Sequence, residues 1–270
     1  MPDGNCLSHA CSLGVWGVHD HDAELRRAIS GTMAAPGAGG ATRARFVATL
    51  ARLGIPSSEW ELEWRREIEV FNGSLRGGRG PPTLSRGFLS DVHCFVLANV
   101  LRRPLIIYGG PVAMEAGLAG VYLPLLWQDM GEGDGCAAPP CSRVPTSLLF
   151  HRSHFSVLAT LEGGARPEAP PPSRSRSRDA LQPPPPPPPP ATPRLPLAVR
   201  VNGRTQALPV RFLLPEEEEQ AEALLRRWLD VVPAGSASGL PPGVAAFALP
   251  PQASADALMS LVDATVRNEC

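Results

Sequence analysis

Apolar residues in the first hundred positions recur at the spacing of an amphipathic helix. In the stretch NCLSHACSLGVWG they fall at i, i+3, i+4 and i+7 from Leu7, which predicts a helix capped by Asn5 or Asp3. Four more stretches show the same period, namely DHDAELRRAISGTM, ATRARFVATLARLG, SSEWELEWRREIEVFNG and SDVHCFVLANVLRRP. We expect Asn72-Gly73 to end the SSEWELEWRREIEVFNG helix, because both residues favour helix ends.

The pattern changes to that of strands after residue 104. LIIYG is short and almost wholly apolar, as in a buried strand, and GVYLPLLW predicts a second strand. SLLFHRSHFSVLATLE predicts two further strands that meet around Arg152. Because the helices come first and the strands follow, we expect an α+β fold with helices packed around a central, mostly antiparallel sheet.

Residues 164–194 have few core-forming side chains and interrupt this pattern. Eight consecutive prolines, Pro183–Pro190, should form a polyproline II segment after a flexible SRSRSR tract. Beyond them, LPLAVRVNG and TQALPVRFLL alternate around Asn202-Gly203 as the strands of a hairpin do. PEEEEQAEALLRRWLDVV and SADALMSLVDATVRN then predict two helices.

This organisation predicts a catalytic core over residues 1–163, a disordered Pro/Ser/Arg-rich insertion over 164–194, and a segment over 195–270 that completes the same unit. The last segment is marginal alone, since an isolated hairpin leaves its apolar face uncovered. We therefore expect the hairpin to extend the central sheet. A long insertion within one unit is tolerable, because loop-closure entropy rises slowly with length.

Composition narrows the class of protein. The 270 residues carry 25 basic and 26 acidic side chains, so no strong field favours nucleic acid or an anionic membrane. No apolar run approaches the roughly 18 residues of a membrane span, and no secretory leader is predicted. Six cysteines without a disulfide-like framework indicate reduced thiols, and hence a cytoplasmic or nuclear protein.

Cys6 follows the turn Asp3-Gly4-Asn5 at the start of the first predicted helix. A small buried side chain without chemistry is the simpler interpretation of a free cysteine. However, amide N–H groups at a helix start carry partial positive charge, which favours the thiolate form of a cysteine. The turn offers further N–H groups to a developing oxyanion. Cys6 is therefore a candidate nucleophile.

A cysteine nucleophile needs a general base, and the sequence has six histidines. His9 lies three residues along the same helix and cannot easily face back across a substrate, while His19 and His21 lie in a charged loop. His154 enters the apolar strand HFSVL, where it is well held and can face a helix start across a cleft, as in papain-like enzymes. We select His154, although spacing alone leaves the pairing open.

Several of these motifs resemble a known family. DGNCLSHA resembles the cysteine loop of the ovarian-tumour (OTU) deubiquitinases, and HFSVL resembles their histidine strand. WGVHDHDAELRRAI, HCFVLANVLRRPLIIYG and GVYLPLLW resemble, in that order, the Trabid and Cezanne branch of the family. VRFLLPEEEEQAEALLRRWLD resembles the segment that follows the histidine strand in that branch. The resemblance covers residues 2–163 and, more loosely, 195–270.

The resemblance implies a papain-like OTU fold and isopeptide hydrolysis on ubiquitin and polyubiquitin chains. Cys6 would attack the carbonyl of the ubiquitin C-terminal glycine, and His154 would move the proton from the thiol to the leaving lysine amine. Asp3, Gly4 and Asn5 would shape the oxyanion loop. No cofactor and no metal is implied.

Two features depart from the family pattern. Ser156 stands where some members place an Asp or Asn that orients the histidine, and a hydroxyl is a weak substitute. In the branch that this chain resembles, the orienting acid is expected upstream of the cysteine loop, before this sequence begins. The alternative function is therefore a catalytically weak or inactive fragment that binds ubiquitin with an incomplete triad.

Two further motifs have alternative interpretations. Cys136, Cys141, His151 and His154 imitate a zinc pattern, but the two histidines are too close for the usual spacing and run into a strand. The proline run can bind SH3 or WW domains, or it can act as a plain spacer.

Overall fold

The computed structural model describes residues 4–75, 89–128, 141–158, 194–201, 204–233 and 245–248. Asp3, Cys136, the proline run, most of the predicted insertion and the last predicted helix lie outside these residues. The predictions made for them stay predictions.

Five helices come first, as predicted: α1 (Cys6–Trp16), α2 (Glu24–Ala34), α3 (Pro36–Arg52), α4 (Trp60–Leu75) and α5 (Asp91–Val100). The predicted end of α4 is wrong, because that helix continues through Asn72-Gly73 to Leu75. Phe71, which directly precedes Asn72, is fully buried. Its packing outweighs the roughly 1 kcal/mol that a glycine within a helix costs. No helix in the described part of the chain combines the length and apolar character needed to cross a membrane.

The central sheet has the strand order β2-β1-β3-β4. Its strands are β1 (Leu105–Gly109), β2 (Gly120–Tyr122), β3 (Thr146–His151) and β4 (His154–Val157). β1 and β3 are parallel, while the two outer pairs are antiparallel, so the α+β prediction is confirmed with a mixed sheet. A short helix, α6 (Pro111–Glu115), lies between β1 and β2 and was not predicted.

The strand predicted over GVYLPLLW is only partly correct. β2 stops at Tyr122, and a 3₁₀ turn (Leu125–Trp127) follows. Pro124 explains the early end, because proline has no amide N–H to donate to a neighbouring strand.

The last described elements are β5 (Arg194–Pro196), β6 (Ala198–Val201), β7 (Arg204–Ala207), a 3₁₀ helix (Pro215–Gln220), α7 (Ala221–Trp228), β8 (Val231–Pro233) and β9 (Ala245–Ala248). β6 and β7 form the predicted hairpin, and β5, β9 and β8 form a separate sheet. The hairpin does not extend the central sheet, contrary to expectation. β7 has the polar sequence RTQA and is mostly exposed, so it would gain little from such burial.

The segment after the hairpin contacts the rest of the fold. Val210 bridges to Val121 of β2, and the rings of Phe212 and Phe95 stack with centroids 5.2 Å apart. Arg45 of α3 donates to the Phe212 carbonyl at 2.9 Å and to Glu217 at 2.8 Å. The charge of Arg45 thus pairs across the contact between α3 and the C-terminal segment.

Candidate active site

The loop that leads into α1 consists of Gly4 and Asn5. Gly4 is buried with a φ of 72°, in the left-handed region that glycine adopts without strain. Asn5 occupies the capping position, but its side chain makes no hydrogen bond to the α1 amides. The prediction of Asn5 as the capping side chain is wrong, because its Oδ1 instead accepts from Arg26 at 2.9 Å.

Cys6 is the first residue of α1 and is partly exposed. The first backbone bond of the helix runs from the His9 amide to the Asn5 carbonyl, at 2.9 Å. The three amides before His9 therefore have no acceptor within the helix, and they carry partial positive charge at the end of α1 where Cys6 lies. An oxyanion at this end of the helix would be stabilised by them.

The other described cysteines differ from Cys6 in their surroundings. Cys11 and Cys94 are completely buried, and burial raises the pKa of both thiols. Burial also raises the pKa of Cys141, against the opposing effect of the Arg102 charge. Thiols of this kind stay protonated and unreactive. Among the described cysteines, Cys6 alone combines access with a helix start.

His154 begins β4 and pairs with His151 across the β3–β4 hairpin. Arg152 and Ser153 form its turn with φ of 49° and 60°, the signs of a type I′ turn. The His154 and Ser156 side chains are exposed on one face of the strand, while Phe155 is buried on the other. Among the described residues, no hydrogen bond joins the His154 ring to Ser156 or to Cys6.

The elements that carry Cys6 and His154 pack against each other. α1 packs against β4 and β3, and at Gly14 an added Cβ would come within 2.8 Å of Val157 Cγ2 and 3.0 Å of Thr146 Cγ2. Cys6 precedes Gly14 by about 12 Å of helix. His154 precedes Val157 by about 10 Å of strand.

The remaining candidate histidines lie together at another position. The rings of His9, His19 and His21 have centroids 5.7, 5.8 and 6.5 Å apart, so His9 is in contact with the loop that follows α1. Within the described ranges, no three His, Cys, Asp or Glu side chains are arranged to hold a metal ion. Cys136 of the zinc-like pattern lies outside these ranges.

Arg26 is a site residue that the sequence reasoning did not single out. It is only 1% exposed, and it contacts both Gly4 and Asn5. A signal was present in the helical period, since Arg26 lies three and seven residues before the buried Ile29 and Met33. A charged residue on the apolar face of a helix indicates a buried polar contact.

This chain is similar to proteins of known families. Residues 1–131 match the model of the family described as OTU-like cysteine protease. Human Tumor necrosis factor alpha-induced protein 3 is 30% identical over 252 residues, covering 85% of this chain and 27% of that protein. The mouse protein is 29% identical over the same shares. Ubiquitin thioesterase trabid of Drosophila melanogaster is 30% identical over 240 residues, covering 84% of this chain and 26% of that protein.

Residues 1–131 belong to the OTU-like cysteine protease family, as the resemblance of the cysteine loop predicted. That range contains Cys6 and its loop and ends before His154. The chain spans 27% of the length of Tumor necrosis factor alpha-induced protein 3 and 26% of that of trabid.

Proposed function

We propose that this protein is a cysteine-type deubiquitinase that hydrolyses isopeptide bonds in polyubiquitin. The observation that carries the proposal is Cys6, a partly exposed thiol at the start of α1 directly after the Gly4-Asn5 loop, within a region of the OTU-like cysteine protease family. The name of the Drosophila relative, a ubiquitin thioesterase, supports ubiquitin as the substrate. The free described cysteines are consistent with a reducing compartment, the cytoplasm or nucleus.

The proposed reaction has two steps. His154 takes the proton of the Cys6 thiol, and the thiolate adds to the C-terminal glycine carbonyl of ubiquitin. The oxyanion is stabilised by amide N–H groups of the Gly4–Asn5 loop and the first turn of α1. The carbon–nitrogen bond then breaks, and the lysine amine leaves with the proton from His154. Water hydrolyses the thioester in the second step, giving its proton to His154 and restoring the thiol.

The contact between α1 and β4 supports the pairing of Cys6 with His154. Both residues precede the Gly14–Val157 contact by a similar length of chain, so the pair meets if helix and strand run in the same direction. Catalytic hydrogen bonds are often long without substrate and tighten in the complex. The absence of a bond between the two described side chains is compatible with this assignment.

A ubiquitin molecule with a C-terminal electrophile tests the proposed function. Wild-type protein is expected to form one covalent adduct, with the label on the peptide that contains Cys6. Cys6→Ala should lose both the adduct and hydrolysis while still binding ubiquitin, because the thiolate contributes little contact area. Cys141→Ala is the matched control and should be labelled like wild type. A label on another cysteine would contradict the assignment.

A second candidate is a ubiquitin-binding protein without hydrolytic activity. The observation that favours it is the exposed His154 ring, which has no hydrogen-bonded orienting partner among the described residues. Triads usually hold the base through a third group. Binding of ubiquitin without any adduct would select this second function.

Residues 1–163 and 195–270 are proposed to form one catalytic unit around the insertion at 164–194. The support is the contact of Arg45 with Phe212 and Glu217, together with the stacking of Phe95 on Phe212. These contacts join α3 and α5 to the C-terminal segment. SH3 or WW binding at the proline run is a separate prediction that concerns residues outside the described ranges.

A further inference from the structure

The loop before Cys6 rests on a buried arginine. Arg26 of α2 is 1% exposed, and it is the largest fully buried side chain described. A guanidinium in such a place is costly unless its N–H groups are hydrogen-bonded. Its acceptors are the carbonyl of Gly4 at 3.0 Å, Oδ1 of Asn5 at 2.9 Å and the carbonyl of Val70 at 3.0 Å.

The bond to the Gly4 carbonyl fixes the direction of the next amide. In a trans peptide the C=O and N–H groups point in opposite directions. Because Arg26 holds the Gly4 oxygen toward the interior, the Asn5 N–H points away from the interior. A flipped peptide would present a carbonyl oxygen to the substrate oxyanion, and the left-handed φ of Gly4 makes such a flip conformationally accessible.

The bond to the Asn5 side chain has a second effect. An asparagine at this position ordinarily caps its helix, with Oδ1 accepting from an amide of the first turn. Here Arg26 takes that oxygen, and the Asn5 side chain makes no bond to the α1 amides. The Asn5 side chain therefore leaves the amides of Leu7 and Ser8 available to an anion at the start of α1.

Arg26 is itself held in place by α4. Its guanidinium lies 5.3 Å from the centroid of the Phe71 ring, beside the bond to Val70. The Phe71 ring also meets the buried ring of His93, with the two centroids 4.6 Å apart. The arginine is thus fixed by groups outside the loop that it orients.

We propose that Arg26 is a positioning residue that orients the Gly4–Asn5 peptide and withholds the Asn5 side chain from the helix start, so that backbone amides face the oxyanion. This inference rests on the proposed function. It predicts that loss of Arg26 slows acyl transfer, in which an oxyanion forms. The reaction of the Cys6 thiol with reagents that form no oxyanion should not change.

The test compares Arg26→Lys with Arg27→Lys, the exposed neighbour that pairs with Glu24. Lysine keeps the charge but cannot reach three separate acceptors with the same fork. We expect kcat on a fluorogenic ubiquitin C-terminal substrate, normalised to the sites titrated by the ubiquitin electrophile, to fall about 10- to 100-fold with KM nearly unchanged. Alkylation of Cys6 by iodoacetamide develops no oxyanion and should keep its rate. Arg27→Lys should match wild type in both assays.

Asn5→Ser is the second variant, in case Arg26→Lys does not fold. Serine is too short to reach Arg26 but is a good helix cap. It should preserve the melting temperature and lower kcat several-fold, whereas a purely structural role predicts no loss at equal stability. Equal kcat in wild type and folded Arg26→Lys, or a parallel loss of alkylation and hydrolysis, overturns the inference. An inactive wild type with a folded, ubiquitin-binding chain overturns the proposed function, and this inference with it.

Discussion

The two candidate catalytic side chains have supports of opposite character. Cys6 follows the Gly4–Asn5 loop, which the buried Arg26 holds through the Gly4 carbonyl and the Asn5 side chain. His154 stands at the exposed tip of a hairpin, and its ring has no hydrogen bond to another described residue. One side of the proposed site is fixed by buried polar contacts, and the other is open to solvent.

The difference follows from what each side must do. Oxyanion donors stabilise a transition state only if they are oriented before the charge develops, so the loop benefits from a fixed geometry. A general base must take up and release protons and meet a leaving amine, which requires access. The turn before His154 has positive φ at Arg152 and Ser153, which costs about 1–3 kcal/mol for each non-glycine residue. The paired strands on either side hold this turn in place, so the backbone positions His154 while its ring stays exposed.

After removal of the nucleophile itself, replacing the base should have the largest effect on turnover. His154→Gln is expected to lower kcat by about 10²- to 10⁴-fold, the usual contribution of general acid–base catalysis, while ubiquitin binding persists. His9→Gln removes a histidine from α1 itself and should leave kcat within about twofold, because His9 lies with His19 and His21. If His9 proved essential and His154 dispensable, the open side of the site would have been assigned to the wrong residue.

The Arg45–Glu217 contact tests whether the residues before and after the insertion unfold as one cooperative unit. Arg45→Met leaves the Glu217 carboxylate without its buried partner, which typically costs about 3–5 kcal/mol. Arg43→Met removes an exposed pair with Glu61 and should cost under about 1 kcal/mol. Hydrogen exchange should show protection falling together in the described residues on both sides of the insertion, before position 158 and after position 194. Loss confined to residues 194–233 would indicate a separate domain.

Gly14 lies where α1, which carries Cys6, packs against β4, which carries His154. In Gly14→Ala the new Cβ would lie 2.8 Å from Val157 Cγ2, and such overpacking costs about 1–3 kcal/mol. Gly31→Ala in α2 meets nothing within 4 Å and should instead stabilise by about 0.5–1 kcal/mol. Urea unfolding measures both changes. Equal stabilisation by the two alanines would show that α1 and β4 are not in close contact at this point.

Much of the fold could be predicted from periodicity, because the helices and the buried strands bury regular apolar faces. α6 was missed because five residues are too short to display a helical period. The end of α4 was predicted wrongly because the burial of Phe71 outweighs local preference, which a sequence window does not contain. β6 and β7 form a sheet of their own, and the segment after them, not the hairpin, contacts β2 through Val210. The alternation of apolar residues cannot specify such a long-range contact.

The site divides in the same way. Cys6 and His154 could be proposed because their chemistry is carried by residue type and by motifs that resemble a family. The role of Arg26 depends on acceptors 21, 22 and 44 residues away in the sequence, and no local pattern contains that information. The prediction of Asn5 as a helix cap failed for the same reason, since a distant arginine takes its side chain.

The fixed side of the site should also leave a signature in the pH dependence of stability. His93 is fully buried, with Nδ1 accepting from the Ser90 amide at 2.9 Å and Nε2 near the Glu67 carbonyl at 3.1 Å. Burial lowers the pKa of His93 to about 3; the Arg26 charge adds to this effect, and the bond to the Glu67 carbonyl opposes it. The ring is therefore neutral near pH 7, and its 3.6 Å approach to the Glu67 carboxylate is not an ion pair.

The sign of the effect follows from comparing folded and unfolded chains. An unfolded histidine takes up its proton near pH 6.5, whereas folded His93 does so only near pH 3. Its contribution is fully present above pH 6.5 and is lost as the pH falls, by on the order of 1 kcal/mol per pH unit. Asp91, whose pKa burial raises to about 6, opposes this below pH 6, because protonation relieves its buried charge. The wild-type profile is therefore a sum of opposing effects.

A His93→Gln variant isolates the histidine from these opposing groups. It should be less stable than wild type at pH 7, because the hydrogen bonds of the ring are lost, and the deficit should shrink by on the order of 1 kcal/mol between pH 6.5 and 5.5. His21→Gln, at an exposed histidine, is the control for loss of an imidazole and should leave the stability at pH 7 within about 0.5 kcal/mol of wild type. Urea unfolding at each pH supplies the free energies. A deficit that does not change with pH would mean that His93 titrates alike in the folded and unfolded chains. The surroundings of His93, beside Phe71 and Arg26, would then be as open to water as the His154 hairpin.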